Sequence, residues 1–473
     1  MKPGVFSFLL AAKLFLLIEV SLAKQSGEHF DPQLAQTLQT TIHRERFKQD
    51  VMGVSAAVIL PGQGLWAGAA GVSTTSPFEI LKPDMRFTIA SISKTFKAAL
   101  ILKLAEEGRL ALQDSLHRWL AKLPYVNSNI TIRQLLSHTS GVYNYTNNSA
   151  FWDSLWNDPA RKWSQEEILE NFVRSPVFTP GARFEYSNTN YILLEMISDT
   201  AADSTFSEQI RNRFFEPLEL ENSFFPAVEE VTGKIVHYWL DRDGDGKVDD
   251  LSEQIGANPY SSWGVISTAT DLANWAEALH GGKVLNAASL AELREVTPVS
   301  YYPLWTGYGL GTMRFNFEGE ELWGHTGSLP GLRSIIAYSP ATGISVSVLV
   351  NQDDFDSVYI IAPALFKAAK TFLTTSVSQD ERESLPSEFR LHQNYPNPFN
   401  QSTLIPFDVP DAANVIIELY DLRGKRVAVI ANDRFEAGRH TARWNAAGFT
   451  SGLYFYRITV GAYSSVRSMV FLK

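Results

Sequence analysis

The sequence contains no cysteine among its 473 residues, which excludes disulfides, thiolate catalysis and metal sites with cysteine ligands. It also lacks an excess of positive charge. Its 41 basic and 51 acidic residues give a formal net charge of −10, which argues against nucleic acid as a partner. Beyond the N-terminal region no stretch is long and apolar enough to span a bilayer, so we expect no stable membrane span. The absence of cysteine does not exclude secretion.

The N-terminus has the pattern of a secretory signal peptide. Lys2 is followed by the largely apolar run Gly4–Ala23, which ends in small residues. Lys13 and Glu19 interrupt this run and shorten its apolar core. We predict that residues 1–23 are a signal peptide, with a buried N-terminal helix as the alternative.

The order of the remaining elements predicts a fold of the α/β (α+β) class. Across residues 24–375, strand-like runs lie near both ends and helical patterns fill the middle, closing with a helix over Ser357–Phe372. We expect one antiparallel sheet built from both termini and flanked by helices, with an inserted helical domain. The polar segment 376–388 is typical of a linker, and period-2 runs over residues 389–473 predict a small all-β sandwich.

The first motif that carries chemistry is Ser91-Ile92-Ser93-Lys94, at the start of a long helical pattern. Ser91 and Lys94 are three residues apart, so they lie on one face of the first turn. The amine could take the proton of a nucleophilic hydroxyl, and free N–H groups at the helix start could stabilise an oxyanion. In isolation the same pattern more often marks a helix cap with a solvated lysine.

The second motif is Tyr186-x-Asn188. A tyrosinate beside Lys94 would be a competent base, because a nearby ammonium lowers the pKa of a phenol. The Asn188 carboxamide could hold a substrate amide and hydrogen-bond Lys94. The alternative is a turn with a packed tyrosine.

The third motif is His325-Thr326-Gly327-Ser328, in a strand candidate. Gly324 and Gly327 would let a ligand approach the strand backbone. His325 and Thr326 could point donors at a substrate carboxylate, and the Ser328 N–H could be an oxyanion donor. The alternative is an edge strand with an exposed histidine.

In this order the three motifs resemble those of the serine β-lactamase and penicillin-binding protein family. The sequence is most similar to the branch that contains class C β-lactamases, DD-carboxypeptidases, D-amino-acid peptidases and esterases. The resemblance covers about residues 30–372. Further matching segments are Leu135–Gly141, Phe178–Gly181, Ser267–Leu272 and Tyr308–Gly311.

The resemblance implies a role for each motif residue and no cofactor. Ser91 would be the acylated nucleophile, with Lys94 as its proton partner and Tyr186 as general base. Asn188 would orient the substrate amide, and the backbone N–H groups of Ser91 and Ser328 would form the oxyanion hole. The segment His325-Thr326-Gly327 would line the far wall, whereas His138 is interpreted as structural.

The sequence departs from typical β-lactamases, which carry lysine where this chain has His325. Histidine is familiar there in DD-peptidases and esterases of this branch. We therefore predict an exported serine hydrolase of the D-alanyl-D-alanine carboxypeptidase or D-amino-acid peptidase type. The alternatives are an esterase or weak β-lactamase, and a non-catalytic binding protein with this fold. The tryptophans that could line an esterase pocket are Trp152, Trp156, Trp263 and Trp305.

A segment starting at Asp241 resembles the beginning of a calcium loop. Oxygen-bearing side chains stand at alternate positions, and Gly246 occupies the sixth. The bidentate glutamate expected at position twelve is replaced by Ser252. Calcium binding and a solvated acidic turn therefore remain alternatives, and we predict no metal at the catalytic site. The candidate ligands are Asp241, Asp243, Asp245 and Asp249.

The C-terminal region resembles the sorting domain of the type IX secretion system. The matching segments are Asn394–Asn400, Val415–Gly424 and Gly452–Tyr456. The resemblance implies that the type IX machinery is a partner and that the protein is secreted or displayed on the cell surface. A carbohydrate-binding or adhesive sandwich is the alternative.

Overall fold

The computed structural model describes residues 30–158, 161–252, 264–302, 304–383 and 386–472. The predicted signal peptide, residues 1–23, lies outside them. The chain divides into two compact units between Thr371 and Phe372. No helix of the described ranges is long and apolar enough to cross a membrane.

The first unit contains most of the helical structure. Its α-helices are α1 (Pro32–Gln49), α2 (Ser93–Glu106), α3 (Ile132–Leu136), α4 (Ser149–Asn157), α5 (Gln165–Phe172), α6 (Thr189–Ala202), α7 (Phe206–Ile210), α8 (Ala269–His280), α9 (Ala287–Leu293) and the start of α10 (Ser357–Glu383). Short 3₁₀ turns span Ala90–Ile92, Leu116–Arg118 and Tyr145–Asn147, and a π-helical turn spans Arg211–Phe215. Helices α3 to α7 fill the middle of the chain, as expected for the inserted helical region.

A nine-stranded antiparallel sheet forms the framework of this unit, in the order β3-β2-β1-β13-β12-β11-β10-β9-β8. Its strands are β1 (Gly53–Leu60), β2 (Gly64–Thr75), β3 (Phe78–Ile80), β8 (Thr297–Tyr302), β9 (Trp305–Tyr308), β10 (Met313–Phe317), β11 (Glu320–Leu329), β12 (Leu332–Tyr338) and β13 (Ser345–Val350). Two-residue strands pair outside it: β4 (Phe87–Thr88) with β7 (Ile266–Ser267), and β5 (Trp239–Leu240) with β6 (Asp249–Asp250). The predicted sheet from both termini is confirmed.

The centre of the sheet is covered on both faces. Strand β1 is buried at every position, and α1 and α8 both pack on this part of the sheet. A strand buried on both faces is apolar throughout, which explains the continuous apolar run at its end, Ala56–Leu60. The sequence did not predict β8, β9 and β10, which extend the sheet beyond β11.

Helix α2 lies in the core of the first unit and carries the first motif. Its residues from Ser93 to Leu102 are all buried, including Lys94 and Lys97. Because the helix is surrounded by α6, α7 and α9, it is apolar on nearly every side. The apolar residues that predicted this helix from the sequence, Phe96, Leu100 and Leu104, are therefore only some of its buried residues.

The second unit is all-β after helix α10. One sheet has the order β14-β15-β18 and the other β17-β16-β19-β20. The strands are β14 (Arg390–Leu391), β15 (Ser402–Val409), β16 (Ala413–Tyr420), β17 (Arg426–Phe435), β18 (Gly438–Asn445), β19 (Gly452–Val460) and β20 (Tyr463–Phe471). A core of inward-facing residues such as Ile405, Ile417 and Ile458 confirms the predicted sandwich.

The helix predicted over Ser357–Phe372 is longer than expected. Helix α10 continues beyond Phe372 to Glu383, so the segment 376–388 begins inside a helix. The polar composition that indicated a linker is also compatible with a helix, because glutamate, glutamine and arginine are good helix formers.

Candidate active site

Ser91 lies in the turn between β4 and α2, and this turn packs directly on β11. A side chain at Gly327 would overlap the Ile89 carbonyl oxygen and the Ser334 hydroxyl. The Ser334 hydroxyl in turn donates to the Ile89 carbonyl at 3.1 Å. The lack of a side chain at Gly327 therefore lets the turn that carries Ser91 pack against β11. The approach of a ligand to the backbone at Gly327 stays a prediction.

Lys94 is fully buried and its Nζ lies 3.0 Å from Ser91 Oγ. Burial holds the pKa of this amine well below its usual value, and the positive charge of Lys97 lowers it further. Both effects favour the neutral amine, which is the form that can accept the Ser91 proton.

Lys97 is a second buried lysine one turn further along α2, and the sequence analysis did not identify it as part of the site. Its Nζ donates to Glu195 at 2.7 Å, and Gln165 Nε2 donates to the other oxygen of that carboxylate at 2.7 Å. The ion pair opposes the lowering of the Lys97 pKa by burial. Lys97 thus supplies a positive charge close to Lys94. The three-residue spacing of Lys94 and Lys97 could have pointed to a second lysine on the same helical face, but the sequence does not show that both are buried.

The Tyr186 ring lies against both Lys94 and His138, with Lys94 Nζ 5.1 Å from its centroid. Its hydroxyl is buried and has no partner of normal hydrogen-bond geometry in the described part of the chain. Burial raises the pKa of this phenol, although interaction with the Ser91 hydroxyl opposes the rise. The expectation that Lys94 lowers the Tyr186 pKa was wrong, because burial is the larger effect. The geometry favours a neutral phenol in the resting site.

Asn188 is held by two residues that sequence reasoning missed. Its Nδ2 donates to Thr146 Oγ1 at 3.0 Å, and its backbone N–H donates to Asn144 Oδ1 at 3.0 Å. The expected hydrogen bond to Lys94 is absent from the described contacts of Asn188. Its Oδ1 is buried without a partner among the residues described, so it can accept from a substrate N–H.

His325 is fully buried, and both of its ring nitrogens are engaged. Nδ1 lies 2.6 Å from the Thr326 carbonyl oxygen, and Nε2 lies 3.1 Å from the Tyr308 hydroxyl. Burial, with a contribution from Lys94, lowers the pKa of His325 to about 3. The prediction that His325 points a donor at a substrate carboxylate was wrong, because the ring is neutral and faces Tyr308.

The Tyr308 hydroxyl joins His325 to His138 and fixes their tautomers. The Ser187 N–H donates to His138 Nδ1 at 3.1 Å, so the proton of this neutral ring is on Nε2. That Nε2–H donates to Tyr308 at 3.1 Å, and Tyr308 then donates to His325 Nε2. His138 itself has a φ of 56° and holds the turn after α3. This agrees with its structural interpretation.

A cavity of about 240 Å³ opens beside Ser91. Thr146, Trp152 and Asn188 contribute to its lining from the helical region. This volume is below the roughly 300–1,000 Å³ of sites that enclose drug-sized ligands, so the cavity accommodates one end of a substrate.

The strand side of the cavity includes Ser328, Arg333 and Asp353. Ser328 is exposed, and Thr326 is half-buried with its Oγ1 3.5 Å from Met313 Sδ. The structure thus brings the three motifs to one cavity, while the oxyanion role of the two N–H groups stays a prediction. Arg333 and Asp353 were not identified from sequence.

Of the four candidate tryptophans, Trp152 lines the cavity. Trp305 is buried and donates to the Gly307 carbonyl at 2.8 Å. Trp156 packs under Arg242, whose guanidinium lies 4.7 Å from its ring. Trp263 lies outside the described residues.

The calcium-like loop gathers part of a ligand set. Asp241, Asp243 and Asp245 each place a carboxylate oxygen within 4.8 Å of the others. Asp249 lies instead in β6, paired with Leu240. Ser252, at the twelfth position, is engaged with Asp250, so it does not replace the missing bidentate ligand. The residues present therefore form an incomplete calcium loop.

Two family profiles match the chain. The Beta-lactamase profile matches residues 31–370, which is more than half of the chain. The profile described as a secretion system C-terminal sorting domain matches residues 393–472.

Individual relatives are distant but cover most of the first unit. Protein flp of Staphylococcus aureus (strain MW2) is 26% identical over 330 residues, 67% of this chain and 63% of that protein. Penicillin-binding protein 4* of Bacillus subtilis (strain 168) is 28% identical over 325 residues, 66% of this chain and 70% of that protein. This chain therefore spans less than two thirds of the length of protein flp.

Solved structures share the fold. A D-stereospecific amidohydrolase from Streptomyces sp. has 28% identity and a TM-score of 0.61, covering 69% of this chain and 98% of that one. A D-amino acid amidase from Ochrobactrum anthropi SV3 has 25% identity and a TM-score of 0.64, covering 72% and 99%.

Proposed function

The chain belongs to the Beta-lactamase family and is a serine hydrolase, and we propose that it cleaves peptides or amides of D-amino acids through an acyl-Ser91 intermediate. We further propose that residues 24–375 form the hydrolase domain. Its C-terminal sorting domain points to secretion and the cell surface. The substrate is then a molecule met outside the cell.

The contact between Lys94 Nζ and Ser91 Oγ carries the proposal. Lys94 Nζ is buried and lies 3.0 Å from Ser91 Oγ, within the distance at which a base removes a hydroxyl proton, and the lowering of its pKa by burial favours the neutral amine. Ser91 Oγ attacks the substrate carbonyl carbon, its proton passes to Lys94, and the carbonyl oxygen becomes an oxyanion. Backbone N–H groups of Ser91 and Ser328 are the donors we assign to that oxyanion.

Tyr186 supplies the second proton transfer in this scheme. Its phenol is neutral at rest, so it can donate a proton to the departing amine nitrogen as the C–N bond breaks. The proton held by Lys94 then passes to the Tyr186 phenolate oxygen, which restores the neutral amine of Lys94 and the neutral phenol of Tyr186. Water hydrolyses the acyl-Ser91 ester in the second half-reaction.

Two observations favour a D-amino-acid amide or peptide over other acyl donors. The unpartnered Asn188 Oδ1 is suited to an N–H group of an amide substrate. Two solved relatives are a D-stereospecific amidohydrolase and a D-amino acid amidase, the latter also solved with D-phenylalanine. An esterase is the second candidate, because Trp152 gives the cavity one aromatic wall.

The test is a substrate panel on the wild-type chain and Ser91→Ala. It compares an acetylated D-alanyl-D-alanine dipeptide with its L,L isomer, with D-phenylalaninamide and with p-nitrophenyl acetate. We expect hydrolysis of the D-configured peptide or amide, no hydrolysis of the L,L isomer, and no activity in Ser91→Ala. Hydrolysis of the ester alone would replace this proposal with the esterase.

A further inference from the structure

Two lysines are buried beside each other in helix α2, but only one of them has a carboxylate partner. Lys94 and Lys97 are 0% and 1% exposed and three residues apart, so they are neighbours on one side of the helix. Lys97 forms an ion pair with Glu195, whereas no carboxylate pairs with Lys94 in the ranges that the structure describes. A buried ammonium without a counterion costs far more free energy than a paired one. The positive charge is therefore expected on Lys97 and not on Lys94.

The Glu195 carboxylate is held in its charged form from two sides. One of its oxygens accepts from Lys97 Nζ and the other from Gln165 Nε2, both at 2.7 Å. Hydrogen bonds to the charged form of a carboxyl group favour that form. Burial lowers the pKa of Lys97, and the carboxyl groups of Glu195 and Asp199 oppose this effect. Helices α5 and α6, which carry Gln165 and the two acidic residues, thus keep Lys97 charged.

Apart from burial, Lys97 is the group that disfavours a positive charge on Lys94. Lys94 Nζ lies 5.1 Å from the ring centroid of Tyr186 and 5.5 Å from that of Tyr191, and cation–π contacts of this kind favour a charged amine. These rings therefore oppose the neutral form that catalysis needs.

The other titratable groups around the two amines do not supply a competing positive charge. They come from the turn after α3, from α6 and from β11, and are His138, Glu195, Asp199 and His325. Burial lowers the pKa of both histidines, so the two rings are neutral. From α7, the Phe206 ring lies 5.1 Å from Lys97 Nζ, and no charged residue of α7 or α9 pairs with either amine in the described ranges.

We propose that Lys97, held in its charged state by Glu195, is a positioning residue that keeps Lys94 uncharged and able to accept the Ser91 proton. This inference rests on the proposed function and gives the helical region a part in it. Glu195 and Gln165 are not among the residues that line the cavity beside Ser91. They act on the base through the charge of Lys97 and not through contact with the substrate.

The variants that test this inference remove the ion pair without leaving an unpaired charge. Lys97→Met/Glu195→Met replaces both side chains with apolar ones of similar length, a change that buried ion pairs often tolerate without loss of stability. Lys97→Gln/Glu195→Gln removes both charges and still allows a hydrogen bond between the two side chains. Lys103→Met is the matched control, because it removes a partly exposed lysine of the same helix that pairs with Glu106. Circular dichroism verifies that each variant is folded.

The measurement is the second-order rate constant for acylation of Ser91 by p-nitrophenyl acetate, between about pH 4 and 9. This ester has no titratable group, so the acidic limb of the profile reports protonation of the base in the free enzyme. In both double variants the midpoint of that limb moves up by about one pH unit, because a like charge one helical turn from Lys94 has been removed. The rate constant below the midpoint falls about 10-fold, while the plateau at high pH stays near the wild-type value. Lys103→Met keeps the wild-type midpoint.

Asp199 requires a control of its own. Burial raises the pKa of its carboxyl group to about 6, which lies within the range of the measurement. Asp199→Asn removes this titration, and we expect the acidic limb to remain. An acidic limb that disappears in Asp199→Asn overturns the inference, because the limb would then belong to Asp199 and not to Lys94.

The same acylation reaction separates this inference from the proposed function. Wild-type chain that is not acylated at Ser91 contradicts the proposed function itself. Wild-type chain that is acylated at Ser91, combined with an acidic limb that does not move to higher pH in the folded double variants, contradicts the role of Lys97 alone.

Discussion

Replacing Tyr308 with phenylalanine tests the histidine network behind the active site. The change removes one oxygen atom and leaves the ring in place. His138 Nε2–H then loses its acceptor and His325 Nε2 loses its donor, both at 3.1 Å in the structure. A buried polar group without a partner costs about 1–3 kcal/mol, so the loss of two partners should lower the free energy of unfolding by about 2–6 kcal/mol.

The assay is thermal unfolding of the purified chain, measured by calorimetry. For a domain of this size the expected loss corresponds to a decrease in Tm of roughly 3–8 °C. Tyr186→Phe is the matched control, since it removes the same atom from a neighbouring buried tyrosine whose hydroxyl has no partner of normal geometry among the described residues. We expect its unfolding free energy to stay within about 1 kcal/mol of wild type, while kcat falls about 10²- to 10⁴-fold. Equal stability of Tyr308→Phe and wild type would refute the network.

Three further predictions concern the base, the nucleophile turn and pH. Lys94→Met should reduce the acylation rate about 10²- to 10⁴-fold without loss of folding, measured by stopped-flow with an ester substrate and by circular dichroism. Gly327→Ala should destabilise the chain and reduce acylation together, because the new methyl overlaps the Ile89 carbonyl; full activity would contradict this packing. Burial holds the pKa of His325 near 3, below its value of 6.5 in the unfolded chain, and lowers that of His138 likewise. As the pH falls, the unfolded chain therefore takes up protons before the folded chain does. The free energy of unfolding in urea titrations should fall from pH 6.5 towards 3 by at most about 1.4 kcal/mol per pH unit for each histidine, and above pH 7 these two histidines should contribute no further change.

The sheet was predictable where its strands are long and fully buried. Val54–Ile59 and Ile344–Asn351 are strongly apolar runs at opposite ends of the hydrolase region, and they pair directly as β1 and β13. Strands β8 to β10 were not predicted. They are short, and their pairing is interrupted by register shifts at Arg314/Phe315 and between Pro298 and Tyr302, which weaken the alternating pattern.

The site was predictable where its geometry is local. Ser91 and Lys94 are three residues apart on one helical turn, so their contact follows from the sequence alone. The other contacts depend on residues far apart in the chain. Tyr308 meets His138 across a separation of 170 residues, and Arg333 reaches the cavity only through the pairing of β11 and β12. The burial of these side chains could not be predicted from the sequence either. Burial raises the pKa of Tyr186, opposite to the expected lowering, and it makes His325 a neutral ring that faces Tyr308.

The most direct test of the account is the intact mass of the chain after incubation with benzylpenicillin, beside Ser91→Ala. The account predicts a mass increase of one penicilloyl group in the wild type, located on Ser91 by peptide mapping, and an unchanged mass in the variant. A wild-type adduct that also forms in Ser91→Ala, or that maps to another residue, would contradict Ser91 as the nucleophile.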